Sequence, residues 1–242
     1  MIKNFLFDLD QTLLNFHASE RKALKIVLEQ NGMSFSDEIY DAFMEYNKSL
    51  WLELEKGIIS RTELFDRRFC YIIEKCNKDP SKVDRLKINT DFIKTMSENG
   101  VLMEGALEFV QRIKKEIPES GIYIVTNGAI VNAEGRIKST GLDKYIDGLF
   151  ISEAMGVSKP SKEYFDIVLK EIKAPQESCM VIGDSLTSDM LGAKNAGLTS
   201  VWFMTQSQGM DQDKIKEAVK EYDINYCASS FDELFKILKG RS

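Results

Sequence analysis

Two aspartates two positions apart, in Asp8-Leu9-Asp10-Gln11-Thr12, close a short run over residues 2–7 that reads as a buried strand. A strand buried on both faces of a parallel sheet is apolar throughout, so charge is tolerated only at its carboxyl end. In open α/β sheets that end is where ligands bind, which puts Asp8 and Asp10 at the mouth of a site. Uncompensated carboxylates are costly to bury unless a cation or donors satisfy them, and a metal ion is the economical explanation. An isolated pair of this kind would read more simply as a turn with Asp8 as its cap. Further features decide against the turn. Thr126-Asn127-Gly128 follows an apolar run over 121–125, Lys159-Pro160 precedes an amphipathic segment, and Gly183-Asp184-Ser185 follows a run over 179–182. Asp189 comes five positions after Asp184.

The elements that must position these residues come from a chain of 242 residues, 43% hydrophobic, long enough for one large domain or a domain with an insertion. A net charge of −6 argues against broad contact with nucleic acid or an anionic membrane. A small phosphate, held by a few local donors and a metal, is compatible with it. Four cysteines, Cys70, Cys76, Cys179 and Cys227, show no C-x-x-C spacing and favour a reducing compartment. No basic stretch leads into an uninterrupted apolar one at the N-terminus, so neither a signal peptide nor a membrane helix is expected, and the expected location is cytoplasmic. His17 is the only histidine, so a histidine-based zinc site or a Ser-His-Asp triad would rest on it alone. Oxygen ligands suit magnesium better than zinc. The glycine-rich cradles for ATP and dinucleotides are absent.

Residues 18–97 carry helical periodicity with few β-branched runs and divide into four helices. The first covers 18–30 and stops at Asn31-Gly32; the second covers 36–56 and stops at Gly57; the capping box Ser60-Arg61-Thr62-Glu63 opens the third; Pro80 lies near the start of the fourth. From Val101 the pattern alternates: helix 104–116, strand 121–126, helix 129–140, strand 148–151, helix 160–173, strand 179–183, helix 186–196, strand 199–203. A strand-like 224–227 and a helix opened by Ser230-Phe231-Asp232-Glu233 follow. Such alternation predicts a doubly wound parallel α/β sheet, Rossmann-like, to which the first strand belongs. The expected domains are a core of 1–16 with 98–242 and an inserted α-helical cap of 17–97, placed after the first strand and suited to cover a site.

In this order the four motifs, Asp8-Leu9-Asp10-Gln11-Thr12, Thr126-Asn127-Gly128, Lys159-Pro160 and Gly183-Asp184-Ser185 with Asp189, resemble those of the haloacid dehalogenase-like (HAD) hydrolase superfamily. The insertion resembles its small α-helical cap class. Asn47-Lys48-Ser49-Leu50-Trp51 and the stretch from Ile151 to Pro160 resemble the pyrimidine 5′-nucleotidase branch. Gln11 departs from the Gly or acidic residue commonest there, which suggests a tuned site. The resemblance implies a magnesium ion held by Asp8, the backbone carbonyl of Asp10 and Asp184, which lets a carboxylate approach a phosphate dianion. Asp8 is then the nucleophile that forms an aspartyl-phosphate, and Asp10 the acid for the leaving alkoxide and afterwards the base for water. Thr126 offers its hydroxyl and Asn127 its backbone N–H to the phosphoryl oxygens, with Gly128 allowing close approach. Lys159 supplies positive charge, and Pro160 fixes the start of the following helix. Asp189, about one and a half helical turns beyond Asp184, orients Lys159 or a water at the metal, or is an ordinary exposed helix residue. Thr12 would steady the loop through its hydroxyl; Ser185 is a helix N-cap or a ligand.

For the cap, Phe16, His17, Tyr46, Trp51 and Arg67 could contact a nucleobase, but aromatic residues at helical spacing more often form core, and core is the favoured reading for most of them. His17 stands apart because it follows the catalytic loop; its alternative is a hinge-surface residue. The expected substrate is a small phosphorylated metabolite, a pyrimidine nucleoside 5′-monophosphate, and the expected assembly a monomer or homodimer. A sugar-phosphate phosphatase or phosphomutase is the main alternative, and a non-catalytic phosphate-binding or signalling protein a further one. A dehalogenase needs no acid for its halide, so Asp10 argues for ester hydrolysis.

Overall fold

The structure is a computed structural model and describes residues 1–55, 58–204 and 210–241. Strands β1 (Asn4–Phe7), β2 (Gly121–Thr126), β3 (Gly148–Ile151), β4 (Cys179–Gly183), β5 (Thr199–Phe203) and β6 (Tyr226–Ala228) form one parallel sheet in the order β3-β2-β1-β4-β5-β6. The chain moves outward from β1 through β2 to β3, returns to β4 on the other side of β1, and continues outward to β6. Phe7 is therefore in register with both Ile124 and Ile182. A reversal of this kind opens a crevice at the carboxyl ends of the strands flanking it. Asp8, Thr126 and Asp184 stand at those three ends.

Helices α1 (Phe16–Gln30), α2 (Asp37–Glu55), α3 (Arg61–Lys75) and α4 (Arg85–Glu98) follow β1, and α5 (Ala106–Glu116), α6 (Ile130–Thr140), α7 (Ser152–Met155), α8 (Lys162–Glu171), α9 (Leu191–Ala196), α10 (Gln212–Glu221) and α11 (Phe231–Lys239) connect and follow the later strands. Alternate strand residues point to opposite faces of the sheet. Phe5, Phe7, Ile124 and Ile182 pack on one side with Phe109 and Ile113 of α5, Ile137 of α6 and Phe235 of α11. Leu6, Val125 and Val181 pack on the other with Tyr164 and Phe165 of α8 and Ala193 of α9. Three layers result, with β1 buried from both sides. That arrangement leaves its carboxyl end as the place where the chain can carry charge.

Two compact units divide the chain, Met1–Phe16 with Gly100–Ser242 and His17–Asn99. The second is helical. Its centre holds Phe43, Phe69 and Phe92, with ring centroids 5.6–6.1 Å apart. Buried among them, Arg68 donates from Nε to Asn89 Oδ1 at 3.0 Å and from Nη1 to Asn47 Oδ1 at 3.3 Å, and Asn47 donates to Glu20 Oε1 at 3.4 Å. Among the described residues no helix is long and apolar enough to cross a membrane.

The structure departs from the sequence reading at several element ends. The expected stop of the second helix at Lys56 and Gly57 lies outside the described residues. Pro80 starts a short 3-10 turn, Pro80–Lys82, and α4 begins only at Arg85 under the side-chain cap of Asp84. Residues 186–196 are not one α-helix: Leu186–Met190 form a wider π turn before α9. Helix α10 was not anticipated, because a segment so rich in charge buries only Ala218 fully. The last strand is Tyr226–Ala228, shifted from 224–227.

Leu6 is fully buried against α8 and α9. Leu6→Ala should cost about 2–5 kcal/mol in urea unfolding, the range for cavities in unyielding cores. A loss under about 1 kcal/mol would contradict tight packing on that face.

Candidate active site

Lys159 is 3% exposed and spends all three ammonium protons inside the protein. Its Nζ lies 2.6 Å from Asp8 Oδ1, 2.6 Å from Asp189 Oδ1 and 2.8 Å from the carbonyl oxygen of Val125. Burial works against the charge, but Asp189 and Asp8 outweigh it and hold the ammonium well above the ordinary lysine value. Lys159 reaches this position from a segment clamped to the Thr126-Asn127-Gly128 turn. The Asn127 side chain donates to the Lys159 carbonyl at 2.9 Å and accepts the Lys159 N–H at 3.0 Å. The clamp replaces the expected role of Pro160, since α8 starts two residues further on under the Ser161 cap.

Asp189 is fully buried and is not an exposed helix residue. The π turn carries it inward, where Oδ2 accepts the Ser185 N–H at 3.1 Å while Oδ1 binds Lys159. A Cβ at Gly183 would stand 2.3 Å from Asp189 Oδ2, so only glycine lets this carboxylate lie against β4. Ser185 caps the turn by accepting the Ser188 N–H at 3.2 Å, which realises the capping alternative. Trp202 Nε1 donates to the Asp184 carbonyl at 3.0 Å and fixes the backbone there.

Oxygens of Asp8, Asp184 and Asp189 lie within 4.8 Å of one another. Burial pushes the Asp8 carboxyl well above its usual range, Lys159 opposes this, and Asp189 and Asp10 add to it. Asp184 is pushed up to about 7, by burial first and then by Asp189. Both shifts mark carboxyl groups whose ionised form is disfavoured, first by burial and then by acidic neighbours. An oxygen-only donor set of this kind fits magnesium and lacks the nitrogen or sulfur ligands that zinc prefers. Asp189 is already engaged through both oxygens, which leaves Asp8 and Asp184 as the carboxylates suited to a metal.

Asp10 lies beyond Asp8 with its carboxylate on Arg136, a residue the sequence reading passed over. Arg136 Nη1 bonds Asp10 Oδ1 and Nη2 bonds Oδ2 at 3.1 Å. A signal for it existed: Ala133, Arg136 and Ile137 are the buried residues of α6, and an arginine on such a face requires an acidic partner. Asp10 Oδ2 is also 3.9 Å from where a Cβ on Gly128 would stand. Thr126 is 1% exposed, and its Oγ1 accepts the Gly128 N–H at 3.1 Å. Gln11 takes a left-handed φ of 60°, and its Oε1 accepts the Phe16 N–H at 2.9 Å at the start of α1. A side chain that caps the helix offsets a conformation glycine would adopt more easily. Thr12 is buried, but its hydroxyl has no hydrogen-bond partner among the described residues, so it does not steady the loop in the expected way.

The remaining candidates divide between the two units. Phe16 is half-buried with its ring 5.3 Å from the Arg136 guanidinium. His17 is exposed on α1, and its backbone carbonyl accepts the Tyr40 hydroxyl at 2.9 Å. Tyr46 stacks 4.2 Å from Tyr71, and Arg67 pairs with Glu53 at 2.7 Å. Trp51 is 38% exposed, and none of the five is fully buried, which corrects the reading of most of them as core.

Known proteins resemble this chain along most of its length. Pyrimidine 5′-nucleotidase YjjG of Escherichia coli is 34% identical over 197 residues, covering 81% of this chain and 83% of that protein. Pyrimidine 5′-nucleotidase PynA of Streptococcus pneumoniae is 31% identical over 202 residues, 83% of each. A solved structure of the HAD-hydrolase YfnB from Bacillus subtilis, bound to magnesium, has a TM-score of 0.80 at 28% identity and covers 98% of each chain. Residues 2–197 match the family described as haloacid dehalogenase-like hydrolase, and the chain belongs to that family.

Proposed function

We propose that this hydrolase removes phosphate from small phosphomonoesters, pyrimidine nucleoside 5′-monophosphates by preference, through an aspartyl-phosphate on Asp8. The observation that carries this reading is the convergence of Asp8, Lys159, Asp184 and Asp189 from three separate strand ends around one buried ammonium. The two relatives named as pyrimidine 5′-nucleotidases support the substrate class.

In this reading Asp8, Asp184 and the backbone carbonyl of Asp10 would hold magnesium, which would neutralise charge so that a carboxylate can meet a phosphate dianion. Lys159 takes Oδ1 of Asp8 and thereby aims the other oxygen at phosphorus. The Thr126 hydroxyl and the backbone N–H of Asn127 receive the transferring oxygens, with Gly128 keeping that turn open to them. Asp10 gives a proton to the departing alkoxide and takes one from the attacking water. Asp189 acts through Lys159, because its carboxylate keeps the ammonium charged and in place. The exposed Asp10 edge favours ester hydrolysis over halide release, which needs no proton.

Asp8→Asn should lower kcat on an aryl phosphate by at least about 1000-fold, since loss of a covalent nucleophile removes the whole pathway. Retained turnover would remove Asp8 from that role. Chelation should abolish phosphate release and magnesium should restore it; activity that survives exhaustive chelation would rule out the metal. On a metabolite panel, pyrimidine nucleoside 5′-monophosphates should give the highest kcat/KM. Much faster hydrolysis of sugar phosphates would overturn the substrate and leave the chemistry standing.

A further inference from the structure

We infer that Arg136 is a positioning residue that orients the Asp10 carboxyl for proton transfer to the leaving group. The inference rests on the phosphohydrolase reading above and assigns a part in it to a residue outside the four motifs.

Arg136 is 1% exposed, although it is a charged side chain on a helix. Its Nε donates to the Asn132 carbonyl of the preceding turn at 3.1 Å, which anchors the guanidinium to α6 itself. The Phe16 ring lies 5.3 Å away on the same unit. The two remaining nitrogens fork onto the two oxygens of Asp10. A planar fork of two parallel bonds fixes both the place and the plane of a carboxylate, which a single ammonium contact does not. Asp10 is nonetheless 28% exposed at its side chain, so one edge is bound and another is open. Its Oδ2 stands beside the space that Gly128 leaves empty, next to the turn proposed to hold the phosphoryl group.

A carboxylate offers about four lone-pair sites, so a fork that takes one on each oxygen leaves one on each for a proton. In the first step an Asp8 oxygen bonds to phosphorus, the ester P–O bond breaks with its electron pair on the leaving oxygen, and the Asp10 proton passes to that oxygen. In the second, water attacks phosphorus, its proton goes to Asp10, and Asp8 recovers its carboxylate as phosphate departs. Asp10 must meet the leaving oxygen at hydrogen-bond distance, and an error near 1 Å is enough to cost about 100-fold. A pair that only neutralised a buried arginine would carry no such dependence on the leaving group.

The experiment compares wild type, Arg136→Met and Arg136→Lys with magnesium on two substrates, uridine 5′-monophosphate and dinitrophenyl phosphate. The parameter is kcat/KM, which reads steps up to cleavage of the ester. Dinitrophenolate leaves without a proton and the nucleoside alkoxide does not. Arg136→Met should lose about 100-fold on the nucleotide and less than about threefold on the aryl ester. Arg136→Lys should show the same preference with a smaller nucleotide loss, and it alone decides the matter if the Met variant does not fold. Equal losses on both esters, or none on either, would overturn the role of Arg136. Wild-type enzyme inactive on both would instead bring down the hydrolase reading.

Discussion

One buried ammonium organises the centre of this molecule. Lys159 is surrounded by two carboxylates, from the segments that follow β1 and β4, and by a carbonyl of β2 itself. Removal of one partner from such a cluster leaves an uncompensated charge in a low-dielectric place, which typically costs about 3–5 kcal/mol. The geometry is therefore over-determined: three acceptors fix the amine, and the amine fixes the carboxylates. What the cluster does not achieve is neutrality. Asp8 and Asp184 remain pushed upward by burial and by their acidic neighbours. A cation set beside Asp8 and Asp184 would favour their ionised forms against that burial.

The sheet makes that convergence possible. With β1 between β2 and β4, residues more than a hundred positions apart in sequence leave adjacent strands side by side. Helices cover both faces, so the carboxyl edge is where polar groups can gather. Two local devices then refine the arrangement. The π turn after β4 carries Asp189 inward, and the Asn127 amide ties the Lys159 backbone to the turn after β2. Wide turns of this kind are rare in regular helices and occur often at functional sites.

Much of this architecture was legible in the residues. β2, β3, β4 and β5 coincide with the strand spans read from apolar runs, because a doubly covered strand must be apolar along its length. Asp8 and Asp184, which close β1 and β4, stood out for the same reason. What stayed hidden depends on partners far along the chain. Arg136 and Trp202 are ordinary in their local segments and acquire significance only through Asp10 and the Asp184 carbonyl, and Asn127, legible for its backbone N–H, gains its side-chain role only through Lys159. Helix α10 escaped although Ile215, Ala218, Val219 and Tyr222 form a helically spaced apolar stripe, because charged residues fill the positions between them. The hydroxyl of Thr12 shows the opposite error, since a polar side chain in a polar-looking loop was credited with a bond it does not make.

The empty space at Gly183 has a consequence for how this protein can vary. Positions 183 and 189 compete for one volume, so they behave as a single unit under substitution. Even a methyl group at 183 would evict the Asp189 carboxylate, strip Lys159 of half its acidic company and release the turn that follows. A shorter residue at 189 would relieve that crowding but would equally leave Lys159 without this carboxylate, so the buried ion pair itself holds position 183 to glycine.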